Sequence, residues 1–75
     1  MPSRPLPRPI VIPGVMTIAT LADVRALLRH LPKQHRGTVP WRHVAAELDN
    51  GAAAIDVSIA LRMALSLDGV EFQVK

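Results

Sequence analysis

The sequence predicts a small, mainly α-helical domain in which three helices are followed by a short C-terminal strand. Three segments place apolar residues at helical spacing, and each segment ends at a proline or a glycine. The residues after the third segment alternate between apolar and polar, as in a half-buried strand. With 75 residues, of which 49% are hydrophobic but only 3% aromatic, the chain suits one domain with a thin aliphatic core.

The first predicted helix begins at Thr20 and ends at Pro32. The Thr20 side chain can accept a hydrogen bond from a first-turn amide, while Asp23, three positions on, can accept one in return. Proline ends the helix because it has no N–H to donate. We expect a solvated loop from Lys33 to Val39, because this stretch is basic and contains Gly37. The apolar positions of the helix are Leu21, Val24, Leu27, Leu28 and Leu31.

The second predicted helix begins at Pro40, since the fixed φ of proline suits the first helical position, and it ends at Asn50-Gly51. Its apolar face is formed by Trp41, Val44, Ala45 and Leu48. The predicted strand from Val70 to Lys75 has two possible partners, which are an extended piece at Thr38 and Val39 or the apolar stretch from Ile10 to Ile18.

The third predicted helix, within Ala52 to Leu67, carries two apolar stripes rather than one. A helix that is apolar around most of its circumference is usually enclosed, either by its own domain or by another chain. Two interpretations therefore stay open, in which both stripes belong to the core or the second one binds a partner. The first stripe is Val57, Ala60, Leu61, Ala64 and Leu65; the second is Ile55, Ile59, Met63 and Leu67; the polar strip between them is Ser58, Arg62 and Ser66.

Residues 1–14 are predicted to be a disordered, proline-rich tail, and residues 15–75 the helical domain, because prolines block a helix and remove backbone donors. Met16 could be the natural start. Arg4 and Arg8 ahead of an apolar stretch resemble a secretion signal, but the prolines and the missing Ala-x-Ala site argue against export. No apolar run is long enough to span a membrane, and the absence of cysteine suits a reducing cytoplasm, where we expect the protein.

The side chains with catalytic or metal-binding chemistry are scattered. His30, His35 and His43 do not share a helical face, and no cysteine or acidic cluster completes a coordination set, so no metal is expected. The serines lack the context of a nucleophile, the glycines are too dispersed to cradle phosphate, and the acids form no pair. We expect a protein that is not an enzyme, has no cofactor and acts by binding.

Charge divides the chain in two. Residues 1–46 hold seven Lys or Arg against Asp23 alone, a balance of +6, whereas residues 47–75 hold two basic residues against five acids, a balance of −3. The first part suits phosphates or an acidic protein surface, and the second would be repelled by them.

From about Leu21 to Lys75, the order of helix, short extended piece, helix, turn, helix and strand resembles the winged helix-turn-helix fold. In that fold the third helix reads DNA with polar and basic side chains. Here it offers Arg62 alone and carries Asp56 near its start. A DNA-binding transcriptional regulator is therefore the alternative function, with Arg62 near bases and phosphate contacts from Arg25, Arg29, Arg36 and Arg42.

Three segments, Leu28 to Pro32, Trp41 to Ala45 and Val57 to Met63, resemble the QseM-type antiactivators of bacterial integrative and conjugative elements. The resemblance implies a winged-helix-like domain that has abandoned DNA and silences quorum-sensing transcriptional activators by binding them. The primary hypothesis is a non-catalytic regulator that binds another protein, most plausibly a transcription factor, through the third helix. A homodimer that pairs its apolar helices is a third possibility. The expected protein-binding residues are Ile55, Ile59 and Met63 as apolar anchors and Arg62 as a polar contact.

Overall fold

A computed structural model describes residues 4–75 of the chain. This part contains four helices and a three-stranded antiparallel sheet. In chain order the elements are β1 (Pro5–Ile12), β2 (Met16–Thr20), α1 (Leu21–His30), α2 (Lys33–Arg36), α3 (Val39–Asp49), α4 (Ala54–Leu67) and β3 (Gln73–Val74). The strand order in the sheet is β2-β1-β3, so β1 is the central strand.

The predicted fold class, a mainly helical winged-helix-like domain with one short C-terminal strand, is wrong. The protein is an α+β domain, because the segment before the first predicted helix forms two strands of a sheet. The disordered tail predicted over residues 1–14 is also wrong for residues 5–12, which form β1, while residues 1–3 lie outside the described part. Proline excludes a helix, but its fixed φ is compatible with an extended strand that leaves one edge unpaired.

A hairpin joins β1 to β2. Ile10 pairs with Ile18 and Ile12 with Met16, and the Val15 N–H donates to the Ile12 carbonyl over 3.0 Å across the Pro13-Gly14 turn. Proline followed by a glycine of positive φ, here 76°, is the usual centre of a type II turn. Two β-branched runs around a Pro-Gly pair are a hairpin signal that is present in the sequence.

The prolines of β1 limit pairing at the edge of this strand that faces β3. The Pro9 carbonyl accepts from the Lys75 N–H over 2.9 Å, so the backbone of Pro9 faces β3. Proline has no N–H, so neither Pro9 nor Pro7 can donate to a strand beside β1. Pairing with β3 is confined to Ile10 and Val11. Of the strand predicted from Val70 to Lys75 only Gln73–Val74 forms, and its partner is the second of the two stretches considered.

The helices pack on one face of the sheet and enclose a single core. Buried side chains of all three long helices meet those of the strands, whereas Thr17 and Gln73 lie exposed on the other face. The core residues are Leu6, Ile10, Ile12 and Ile18 from the strands, Val24 and Leu27 from α1, Trp41, Val44 and Leu48 from α3, and Val57, Ala60, Leu61, Ala64 and Leu65 from α4.

A capping box at the start of α1 confirms the prediction for this helix. The Asp23 N–H donates to Thr20 Oγ1 over 3.3 Å, and Asp23 Oδ2 accepts from the N–H groups of Ala19 and Thr20 over 2.9 and 3.1 Å. The Ala19 hydrogen bond is the main cause of a lowered pKa of the Asp23 carboxyl, with the two Thr20 bonds acting in the same direction and partial burial opposing them.

The solvated loop predicted from Lys33 to Val39 is wrong in part, because residues 33–36 form the single turn α2. The Arg36 N–H donates to the Pro32 carbonyl over 3.1 Å, which closes this turn. The His35 ring then fixes it to the end of α4, since Nδ1 lies 2.9 and 3.0 Å from the carboxylate oxygens of Asp68. Because α2 has no buried residues, this side-chain contact helps to hold it in position.

Gly51 and Gly69 end α3 and α4 by the same mechanism. Each has a positive φ, 69° and 72°, and the N–H of the residue after it reaches back to the last turn. The Ala52 N–H donates to the Glu47 carbonyl over 3.0 Å, and the Val70 N–H to the Leu65 carbonyl over 2.9 Å. These are Schellman motifs, which favour glycine because it adopts this backbone conformation without a steric penalty.

The cap of α1 makes folding stability depend on pH. Because the Asp23 pKa is lower in the folded chain, its carboxylate stabilises the fold fully above about pH 4 and loses this effect as the pH falls through the folded-state pKa. We expect Asp23→Asn to lower the unfolding free energy at neutral pH and to differ progressively less from the wild type in acid. Denaturant titrations at several pH values measure this. A difference that stays constant down to pH 2 would contradict it.

Candidate protein-binding surface

Helix α4 lies with one of its two apolar stripes in the core. This buried stripe packs against α3 and the central strand β1. Ser58, from the polar strip, is buried beside it, and Arg62 is half-buried. The members of the buried stripe are Val57, Ala60, Leu61, Ala64 and Leu65.

The other stripe faces solvent along the whole helix. We call Ile55, Ile59, Met63 and Leu67 the exposed stripe; their exposed fractions are 47%, 44%, 58% and 70%. Residues spaced by four lie on one side of a helix, so the four side chains form a row about 18 Å long. Contiguous apolar surface of this kind, on the order of a few hundred Å², commonly marks an interaction site in a soluble protein.

The exposure of this row follows from the size of the domain. The sheet and α3 cover one side of α4, and none of the elements in residues 4–75 covers the opposite side. The interpretation in which both stripes belong to the core is therefore wrong. Of the predicted protein-binding residues, Ile55, Ile59 and Met63 are exposed, and Arg62 lies beside them on the same helix.

Two depressions adjoin the C-terminal half of the exposed stripe. One, of about 310 Å³, is lined by Arg62, Met63, Ser66 and Leu67. The other, of about 110 Å³, lies where α3 begins beside the end of α4, and its lining residues are Thr38, Pro40, Trp41, Ala64, Leu67 and Asp68. Leu67 borders both, so this end of the row has concave surface on either side.

A third depression, which we call the arginine groove, adjoins the N-terminal half of the stripe. It has a volume of about 310 Å³ and lies where α4 meets β1 and β3. Two arginines line it and no acidic residue does. Within residues 4–75, neither Arg8 nor Arg62 forms an ion pair. The lining residues are Pro7, Arg8, Ile55, Ser58, Arg62 and Val74.

The arginines predicted to contact DNA are divided between surfaces. Arg25 and Arg29 line a cleft between α1 and α3, where Arg25 Nη1 lies 4.0 Å from Asp49 Oδ1. Arg62 lies instead in the arginine groove, with Arg8. The remaining two, Arg36 on α2 and Arg42 on α3, are exposed. The structure thus joins Arg25 with Arg29 but places Arg62 in a different depression.

The three histidines lie apart from the exposed stripe. His35 contacts Asp68, and His43 Nε2 lies 3.5 Å from Glu47 Oε1 one turn along α3, while His30 is exposed at the end of α1. Residues 4–75 contain no group of three histidine or acidic side chains that could hold a metal ion. None of the helices in this range is both long and apolar enough to cross a membrane.

Two residues of the surface are absent from the predicted site. Leu67 is the most exposed member of the stripe, and its position four residues after Met63 would have been sufficient to include it in the predicted site. Arg8 lies in the segment predicted to be a tail, so only the strand β1 reveals that it borders α4.

No protein-family model, curated protein or solved structure matches the chain.

The two stripes of α4 should respond differently to truncation. We expect Leu61→Ala to cost about 2–5 kcal/mol of unfolding free energy, because it opens a cavity in the core. Met63→Ala should stay within about 0.5 kcal/mol of the wild type, since its side chain is largely in water. Urea titrations followed by the fluorescence of Trp41, the only tryptophan, measure both. Equal losses for the two variants would show that the exposed stripe is packed in solution.

Proposed function

We propose that this protein is a non-catalytic regulator that binds another protein through the exposed stripe of α4. The observation that carries the proposal is the row of four large apolar side chains in water along the full length of one helix. A partner helix that lays its own apolar face along such a row is a common mode of protein recognition. Ile55, Ile59 and Met63 act as anchors, with Leu67 extending the row.

The binding free energy available from the exposed stripe indicates that neighbouring contacts must also contribute to affinity. Burying the parts of its four side chains that remain in water contributes on the order of 4 kcal/mol. Association costs a similar amount or more through lost translational and rotational freedom. Polar contacts beside the row must therefore contribute to affinity, and Arg62, half-buried next to Ile59 and Met63, is placed to make one.

The partner that we propose is a transcriptional activator, which this protein silences in the cytoplasm. The support is the resemblance to antiactivators, because one of the three resembling segments, Val57 to Met63, carries Ile59, Arg62 and Met63. A protein that holds an activator in an inactive complex requires a docking surface and no catalytic group.

A second candidate function is the binding of DNA through its phosphates. The observation that favours it is that Arg25 and Arg29, one turn apart on α1, line the same cleft. Asp49 lies at that cleft and partly offsets their charge. We rank this candidate below protein binding because it leaves the exposed stripe without a role.

The first test introduces charge into the row. We expect Ile59→Asp with Met63→Asp to abolish partner binding, since a carboxylate cannot be buried against an apolar face without a large cost. The tagged wild-type and variant proteins are used as bait in a bacterial lysate, and the bound activator is then purified and titrated by calorimetry. The control is Val15→Asp, which places one carboxylate on an exposed valine in the β1–β2 turn.

The proposal requires that the variant stays folded and monomeric, as circular dichroism and sedimentation show. Unfolding of the variant would indicate that the row belongs to the core. If the wild type sediments as a dimer and the variant as a monomer, the row binds a second copy of this chain instead. Binding that survives in the variant and is lost with Val15→Asp would move the docking surface to the sheet.

The DNA candidate is tested by fluorescence anisotropy with labelled genomic fragments. If phosphates are bound through α1, affinity must fall steeply as salt rises, and Arg25→Gln with Arg29→Gln must weaken binding. We expect no salt-dependent complex at low ionic strength. A complex that is sensitive to both salt and this double substitution would establish DNA binding.

A further inference from the structure

The arginine groove and the exposed stripe form one continuous surface, because Ile55 and Arg62 border both. We propose that the segment bound by this surface is an amphipathic helix whose apolar face is flanked by acidic residues, and that an acidic side chain of it enters the groove between Arg8 and Arg62. The inference rests on the proposed function and specifies the chemistry of the partner.

Charge is the first reason. Two cationic groups line one depression without a carboxylate, and among residues 4–75 neither is paired. Arg62 is half-buried, so part of its side chain is out of contact with water. A carboxylate that enters the groove would accept charge-assisted hydrogen bonds from these arginines and offset their positive charge. A neutral or basic side chain would do neither.

The position of Arg62 on α4 is the second reason. Arg62 follows Ile59 by three positions and therefore lies on one flank of the exposed stripe. Asp56 lies about 120° around the helix from Arg62, which places it on the opposite flank. Ala53, the residue before α4, provides no side-chain cap, so the positive end of the helix dipole adds to the field near Ile55. The acidic residues of the partner helix thus lie on its side nearest to β1.

The β1 side of the groove argues for a helix rather than an extended peptide. A peptide that adds to a sheet edge needs free backbone donors there. Pro9 presents none at the edge that faces β3, Pro7 has no N–H at all, and β3 already occupies Ile10 and Val11. The apolar row, about 18 Å long, instead matches roughly three turns of a partner helix.

A displayed library of amphipathic helices tests the inference without a known partner. In every member the residues of the apolar face are drawn from the same set, Leu, Ile, Val, Met and Phe. The flanking positions carry Glu, Gln or Lys at equal frequency. Helices retained by the folded wild-type protein are counted only if Ile59→Asp with Met63→Asp releases them. We expect Glu to exceed Lys at the flanking positions by roughly tenfold, the size of one charge-assisted hydrogen bond.

The groove is then altered by itself. Arg8→Gln with Arg62→Gln should bring Glu and Lys close to equal frequency, whereas Arg8→Lys with Arg62→Lys should keep most of the preference for Glu. Arg25→Gln with Arg29→Gln, a matched loss of two charges on α1, should leave the preference unchanged. Thermal unfolding followed by Trp41 fluorescence confirms that each variant is folded.

The outcomes separate this inference from the proposed function. If helices are retained through the stripe but Glu, Gln and Lys occur equally, the acidic partner is excluded while the docking surface stands. If no helix depends on Ile59 and Met63, both proposals fail. Tight binding of a labelled DNA duplex that is lost with Arg8→Gln and Arg62→Gln would assign the groove to phosphate and overturn the inference.

Discussion

The packing of α4 against β1 and α3 is the contact on which the rest of the structure depends. The buried stripe of α4 supplies five apolar residues of the core, and it packs against both the central strand and α3. A helix with two apolar sides can place only one of them there. The remaining side stays in water because the described chain has no further element to lay over it, so the surface proposed for binding is a direct result of how the core is built.

The same contact brings charge to the apolar row. Where α4 meets β1, Ser58 and Arg62 of its polar strip line the same depression as Arg8. An apolar row with positive charge along one side discriminates between binding partners better than the apolar row alone. Apolar contact provides attraction without direction, while the two arginines distinguish partners by the charge that these carry along one flank.

Helix boundaries and stripes could be predicted from the sequence because they depend on local chemistry. Thr20 with Asp23 begins a helix, and Gly51 and Gly69 end one, for reasons that involve only neighbouring residues. The sheet was missed because prolines were interpreted by what they exclude in a helix, although Pro13-Gly14 marks a hairpin turn. The arginine groove could not be predicted, since Arg8 and Arg62 are distant in sequence and meet only through the strand that was missed.

The prolines along β1 also limit the addition of a strand next to the exposed stripe. An apolar row in water is a hazard if an unpaired strand lies next to it, because strands add to one another without limit and grow into fibres. Here Pro7 and Pro9 have no N–H groups to donate, so the stretch of β1 beside the arginine groove is a poor template for an added strand. Association on this side of the molecule is thereby left to the helix face, and a face about 18 Å long offers room for one partner helix.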